Sequence, residues 1–172
     1  MKGIKTLVSA TAIAVCLGAA SMANAASIVF DNGTNPPILS GNFTTPGGSI
    51  TVRSPSSFGA PVTCNINFSG SINNGIASIT GATVSGSNPL CSLPKITGLP
   101  WTLTANSTTA GTVTNVGYSI SSFPSTNCGP TTIAVAWSNT TNSLSLSTPQ
   151  SLAGGCTVDV LNAKPDPKAK VI

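Results

Sequence analysis

From residue 62 onward apolar side chains recur at every second position, and a chain patterned that way can bury them only as strands of a sheet. Cys64, Ile66 and Phe68 fall on one side of an extended backbone, with Thr63, Asn65 and Asn67 on the other. The alternation returns at Trp101, Leu103 and Ala105, at Tyr118 with Ile120, and at Ile133, Val135 and Trp137. It continues at Leu144 with Leu146, and at Cys156, Val158 and Val160. Turn chemistry separates the runs at Asn74-Gly75, Gly86-Ser87-Asn88-Pro89, Asn127-Cys128-Gly129-Pro130 and Asn139-Thr140-Thr141-Asn142. No amphipathic helical period is visible after residue 25. The expected fold is all-β and antiparallel, with about six to ten short strands forming a sandwich or a barrel. The sandwich is preferred, because half-polar strands turn their Ser, Thr and Asn outward and their apolar residues toward a second sheet.

The start of the chain reads differently. Lys2 and Lys5 precede an apolar run from Leu7 to Ala20, and Ala23 and Ala25 supply the small residues of a cleavage site, so residues 1–25 are expected to be an export signal cut after Ala25. Cys16 is preceded by Val15 where a lipidation motif wants a small residue, which argues against a lipid anchor. The apolar run falls short of the ~20 residues that span a bilayer, so no transmembrane segment is expected. Residues 26–163 then form a single β domain, and residues 164–172, with Lys164, Lys168 and Lys170, a basic flexible tail.

Export places the remaining cysteines in an oxidising compartment, where Cys64, Cys91, Cys128 and Cys156 are expected to form two disulfides. Three connectivities are open. Cys64–Cys91 with Cys128–Cys156 is favoured, since it gives two nearly equal loops, each around a pair of strands. The chain has no histidine and no Cys-x-x-Cys pair, so neither a metal site nor a redox-active pair is expected.

Charged residues make up 6% of the chain, against roughly 25% in ordinary globular proteins. Between residues 26 and 163 only Arg53 and Lys95 face Asp31 and Asp159, so the body is neutral. Nucleic-acid binding draws its affinity from clustered cations and is excluded as a class. General acid–base catalysis needs His or a tuned carboxylate pair, and nucleophilic catalysis needs a base beside the nucleophile. With no histidine and with Asp31 and Asp159 read as turn or capping residues, no catalytic residue, cofactor or metal is assigned. The densest apolar stretch after the leader, residues 93–101, makes Leu99 and Trp101 the candidate hydrophobic contacts. The competing reading sends both into the core where the next strand begins, and Trp137 is read as core.

Three stretches carry a resemblance. They are residues 54–66 (Ser-Pro-Ser-Ser-Phe-Gly-Ala-Pro-Val-Thr-Cys-Asn-Ile), residues 79–87 leading to Cys91-Ser92-Leu93-Pro94, and Gly98-Leu99-Pro100-Trp101. Asn127-Cys128-Gly129-Pro130-Thr131-Thr132 and Gln150-Ser151-Leu152-Ala153-Gly154-Gly155-Cys156 extend it. Together they resemble the secreted PraB-type activators of alkane oxidation, over roughly residues 50–156. The resemblance implies a protein exported by Gram-negative bacteria that assists growth on hydrocarbons, with links to surface and biofilm roles. It supplies no catalytic motif, and only the four cysteines carry over, as disulfide partners. Two functions are therefore expected. The first is a non-enzymatic accessory protein, secreted or at the cell surface, that promotes alkane oxidation by binding or dispersing hydrocarbon. The alternative is a self-associating structural protein of the surface or biofilm matrix, suggested by strand edges that carry few charged residues. A periplasmic partner of an oxidising enzyme is the third class.

Overall fold

The computed structural model describes residues 26–33 and 35–172; the expected leader and Cys16 lie outside the described residues. The elements are β1 (Ile28–Phe30), β2 (Ser40–Thr44), β3 (Gly48–Arg53), β4 (Val62–Asn73), β5 (Ile76–Ser85), β6 (Lys95–Thr97) and β7 (Trp101–Ala105). They continue with β8 (Ala110–Ile120), β9 (Thr126–Ser138), β10 (Ser143–Ser145), β11 (Gln150–Leu152), β12 (Cys156–Ala163) and β13 (Ala169–Val171). Short 3₁₀ turns at Pro55–Ser57 and Pro89–Ser92 are the helical elements among the described residues.

The all-β expectation holds, and of its two forms the chain adopts the barrel rather than the preferred sandwich. Strands pair in the order β10-β9-β8-β7-β5-β4-β3-β12, and β12 returns to β10, which closes eight antiparallel strands on themselves. Alternation along a strand says which residues share a face and is silent on whether the last strand meets the first. β2 lies end to end with β3 along β4, while β6 and β11 add to β8 and β12. An eight-stranded barrel has an interior just wide enough for side chains to fill or for one small ligand.

Closure is made in two parts. Near Trp137 the short β10 bridges β9 and β12 through Leu144↔Trp137 and Leu144↔Ala163. Toward the opposite end β10 stops, and β11 occupies the seam, paired with β12. There the Gln150 amide oxygen accepts from Ala134 N at 2.9 Å, Thr131 Oγ1 accepts from Ala153 N, and Gly129 N donates to Ala153 O. The Cys128–Cys156 disulfide crosses the same seam, and Cys64–Cys91 ties the Pro89–Ser92 turn to β4. Of the three connectivities this is the favoured one. Its separations of 27 and 28 residues are retained here. Each loop removes about 3–4 kcal/mol of chain entropy from the unfolded state.

Three bulges decide which residues face inward. In β8 the parity changes between Val113 and Val116, with Asn115 at φ +63°, so Val113 and then Val116, Tyr118 and Ile120 are buried. Gly129 sits opposite this bulge at φ +91°, where a Cβ would stand 2.2 Å from Val116 O, so only glycine fits. The expected turn at Asn127–Pro130 is accordingly absent: β9 runs straight through it. In β5 the register shift moves the inward set from Ala77 and Ile79 to Ala82 and Val84. In β12 the bulge at Asp159 corrects the reading of Val160 as inward. Val160 is 52% exposed, and Leu161 and Ala163 take its place inside.

The carboxyl-terminal residues are not the frayed tail expected from their lysines. β13 pairs with β1, burying Ile28, Phe30, Ala169 and Val171 against the core at one end of the barrel. Apolar residues alternate with the lysines in Ala169-Lys170-Val171, which a count of charge overlooks. Two turn asparagines between β9 and β10 serve as strand partners. Asn139 accepts from Val171 N and from Trp137 Nε1 and donates to Val171 O, while Asn142 accepts from Ala169 N and donates to Pro165 O. Asn139→Ala leaves three polar groups without their partner, so a loss of about 2 kcal/mol or more in urea unfolding is expected, together with faster amide exchange at Val171.

Candidate functional site

Inside the barrel, at the end that carries both disulfides, lies a cavity of about 70 Å³. A second, of about 30 Å³, lies toward the β1–β13 end, and Phe68, Ile79 and Leu144 line both, forming a wall between them. The larger cavity runs from Leu90, Leu93 and Pro94, which are partly exposed, inward to buried Trp101, Val113 and Ile133. No charged side chain lines it. Its polar side chains are hydroxyls, Ser54, Ser56, Ser57 and Tyr118, gathered where β3 leaves the barrel.

Those hydroxyls are fixed by the loops around them. Ser57 Oγ accepts from Ser54 N and donates to the backbone, closing the Pro55–Ser57 turn. Ser56 Oγ donates to Pro124 O at 2.6 Å, and Ser56 N donates to the buried Thr126 Oγ1, which ties this turn to the loop between β8 and β9. Tyr118 differs: its residue is 7% exposed, yet its hydroxyl makes no hydrogen bond. Burying a hydroxyl without a partner costs about 1–3 kcal/mol, so this atom is an unmet hydrogen-bonding group in an apolar chamber. Burial pushes the Tyr118 phenol from 10.0 up to about 12, and the nearby Ser54 hydroxyl works in the opposite direction.

The two turns joined through Ser56 also carry exposed rings. Phe58, at φ +52° after the Pro55–Ser57 turn, is 84% exposed, and Phe123 in the β8–β9 loop is 96% exposed. Large apolar side chains this free of contact, on loops tied to one another beside the cavity, form a rim that the sequence reading missed. Its signal was present as single phenylalanines among Ser, Pro and Gly, but alternation cannot flag a residue outside a strand.

The two candidate contacts part company. Trp101 is 5% exposed, meets Phe68 edge to face at 6.2 Å, and donates from Nε1 to Thr97 O at 2.8 Å, so it lines the cavity and corrects the idea of a surface patch at this residue. Leu99, 37% exposed, stays on the loop that crosses the Asn115 bulge. Trp137 is buried at the other end. The four cysteines are all paired and structural. Asp159 forms an ion pair with Arg53, and Asp31 with Lys170, in place of the turn and capping roles expected of them. Among the described residues no three His, Cys, Asp or Glu side chains gather to hold a metal ion, and no helix is long and apolar enough to cross a membrane.

Fold and site together define a disulfide-stapled, closed antiparallel barrel with an apolar interior site ringed by hydroxyls at one end. The chain belongs to the alkane oxidation protein activator PraA/PraB-like family, whose model matches residues 1–172. No curated protein and no solved structure matches it. Membership gives the chain a role in alkane oxidation, as an activator, and its two disulfides fit the oxidising environment of an exported protein.

The phenol sets a pH dependence. Below 10.0 Tyr118 holds its proton whether the chain is folded or unfolded; from there to about 12 the unfolded chain releases the proton that the folded chain keeps. Stability therefore falls as pH rises through that window. Thermal melts of the protein and of Tyr118→Phe across this range should show the extra loss in the unsubstituted protein alone.

Proposed function

We propose that this chain is a non-enzymatic accessory protein, exported to the cell surface or medium, that promotes alkane oxidation by binding and dispersing hydrocarbon through the disulfide-bearing end of its barrel. The observation that carries the reading is the pair of solvent-exposed rings, Phe58 and Phe123, on joined loops beside an apolar cavity. Neither loop has a charged residue of its own, and the Arg53 guanidinium that donates to Gly59 O beside Phe58 is paired with Asp159. Transfer of each ring from water gains about 2 kcal/mol. The bound ends of the loops, held through Ser56 and Thr126, limit the ordering that adsorption would otherwise require. The contact site is thus moved from Leu99 and Trp101 to the rim, with Trp101 serving the interior.

Purified protein should lower hexadecane–water interfacial tension and stabilise emulsions. Phe58→Ser with Phe123→Ser should adsorb on the order of a hundredfold more weakly or worse while melting as before. Unchanged adsorption of the double variant would sink the reading.

A second reading, self-association into surface or matrix material, has its own support at the opposite end. Ile38, Leu39 and Ile76 are each about half exposed, and the pairing of β2 and β5 with β4 gathers them near the Asn74-Gly75 turn. Barrel closure leaves β2 and β6 as short edges, which limits assembly by strand addition. Light scattering over a wide concentration range should show growing assemblies that Ile38→Ser with Leu39→Ser abolishes; a monomer at every concentration excludes this reading.

A further inference from the structure

The rim explains contact with an oil phase but leaves the interior unused. The chamber behind it presents one group that a plain hydrocarbon does not satisfy, the Tyr118 hydroxyl, buried and without a hydrogen bond. The Ser54 hydroxyl lies near it, while Ser56 and Ser57 are already bonded to the loops around them. An alkane would leave Tyr118 as it is. A carboxylate would enter a chamber with no cation in its lining, at a high desolvation cost. An alcohol oxygen can accept from Tyr118 and donate to a serine, which satisfies the buried group without introducing charge.

We infer that the barrel cavity binds the hydroxyl-bearing end of an uncharged aliphatic molecule, in chemical class a primary alcohol. Its oxygen meets Tyr118 and Ser54, and its chain lies toward Phe68, Ile79 and Leu144. The cavity volume sets the length. At about 70 Å³ it is roughly half the ~150 Å³ of a cavity that admits benzene, room for an alkyl group of about three to four carbons. Longer chains enter only when the wall of Phe68, Ile79 and Leu144 parts to join the second cavity of about 30 Å³. A primary alcohol is an alkane carrying one added oxygen, so the site deepens the hydrocarbon reading and rests on it for the presence of such molecules near the protein. At physiological pH the phenol is a neutral donor, as it would be even at its ordinary 10.0.

The test is a titration of the full exported chain with 1-butanol, 1-chlorobutane and butanoate, followed by amide NMR shifts. We expect 1-butanol to bind about tenfold or more tightly than either of the others, with shifts at Ser54, Phe68 and Tyr118. Tyr118→Phe, which removes a single oxygen, should weaken the alcohol about tenfold and leave 1-chlorobutane unchanged, with a melting temperature no lower than before. Ser54→Ala supplies the same comparison through the second partner. Equal binding of alcohol and chloroalkane, an unchanged alcohol affinity in both folded variants, or shifts confined to the surface would overturn the inference. So would a crystal structure of the alcohol-saturated protein in which no alcohol oxygen lies within hydrogen-bonding distance of the Tyr118 hydroxyl. Emulsification is read at Phe58 and Phe123, so loss of alcohol selectivity with intact emulsification refutes this inference alone, and the reverse refutes the rim alone.

Discussion

Everything in this molecule depends on sealing the seam between β9 and β12. Those strands are separated by β10 and β11, neither longer than three residues, and the sheet is a closed barrel only because both short strands are held in place. Backbone pairing does this at one end. At the other, side-chain hydrogen bonds from Gln150 and Thr131 and the Cys128–Cys156 bond replace a missing length of ladder. A three-residue strand cannot hold a sheet edge by itself, since its few hydrogen bonds do not offset the entropy of ordering it. The covalent link is therefore placed where pairing is weakest.

Closure then fixes the character of the interior. Because the strands present apolar residues inward and hydroxyls and amides outward, the sealed barrel encloses a chamber with almost no polar lining. The β1–β13 ribbon covers one end with Ile28, Phe30, Ala169 and Val171, anchored by Asn139 and Asn142. The other end is covered by 3₁₀ turns and loops instead of strands, and the partly exposed lining, the hydroxyl cluster and the two free phenylalanines are all found there. Asymmetry of the two caps is what separates a sealed core from a usable site. The chamber has no charged lining, and the Arg53 guanidinium held against Gly59 O at this end is neutralised by Asp159.

Much of the fold was legible. Val62–Phe68 and Ile133–Trp137 showed their faces directly, and Asn74-Gly75 forms the hairpin its residues indicate, with Asn74 at φ +48° and Gly75 at φ +84°. The failures fall at irregularities. Val160 was misread because one extra residue at Asp159 reverses inside and outside, and a period of two carries no information about such an insertion. Asn127–Pro130 was misread because glycine serves a tight approach between strands as readily as it serves a turn. The lysine-rich end was misread because three charges outweighed two small apolar residues that a single barrel end could bury. As for the site, the apolar stretch around Trp101 is visible in the sequence, but the direction of its ring depended on strands far away in the chain.

Residue type and local spacing were enough to specify an all-β chain, with cysteines suited to pairing in an oxidising compartment and strands that alternate apolar residues with hydroxyls and amides. Packing across the whole fold decided that the strands close, that Tyr118 is buried without a hydrogen bond, and that the loops bearing exposed Phe58 and Phe123 are joined through Ser56. Each of those depends on contacts between residues distant in sequence, where the register of a bulge or the position of a loop sets which side of the wall a side chain occupies.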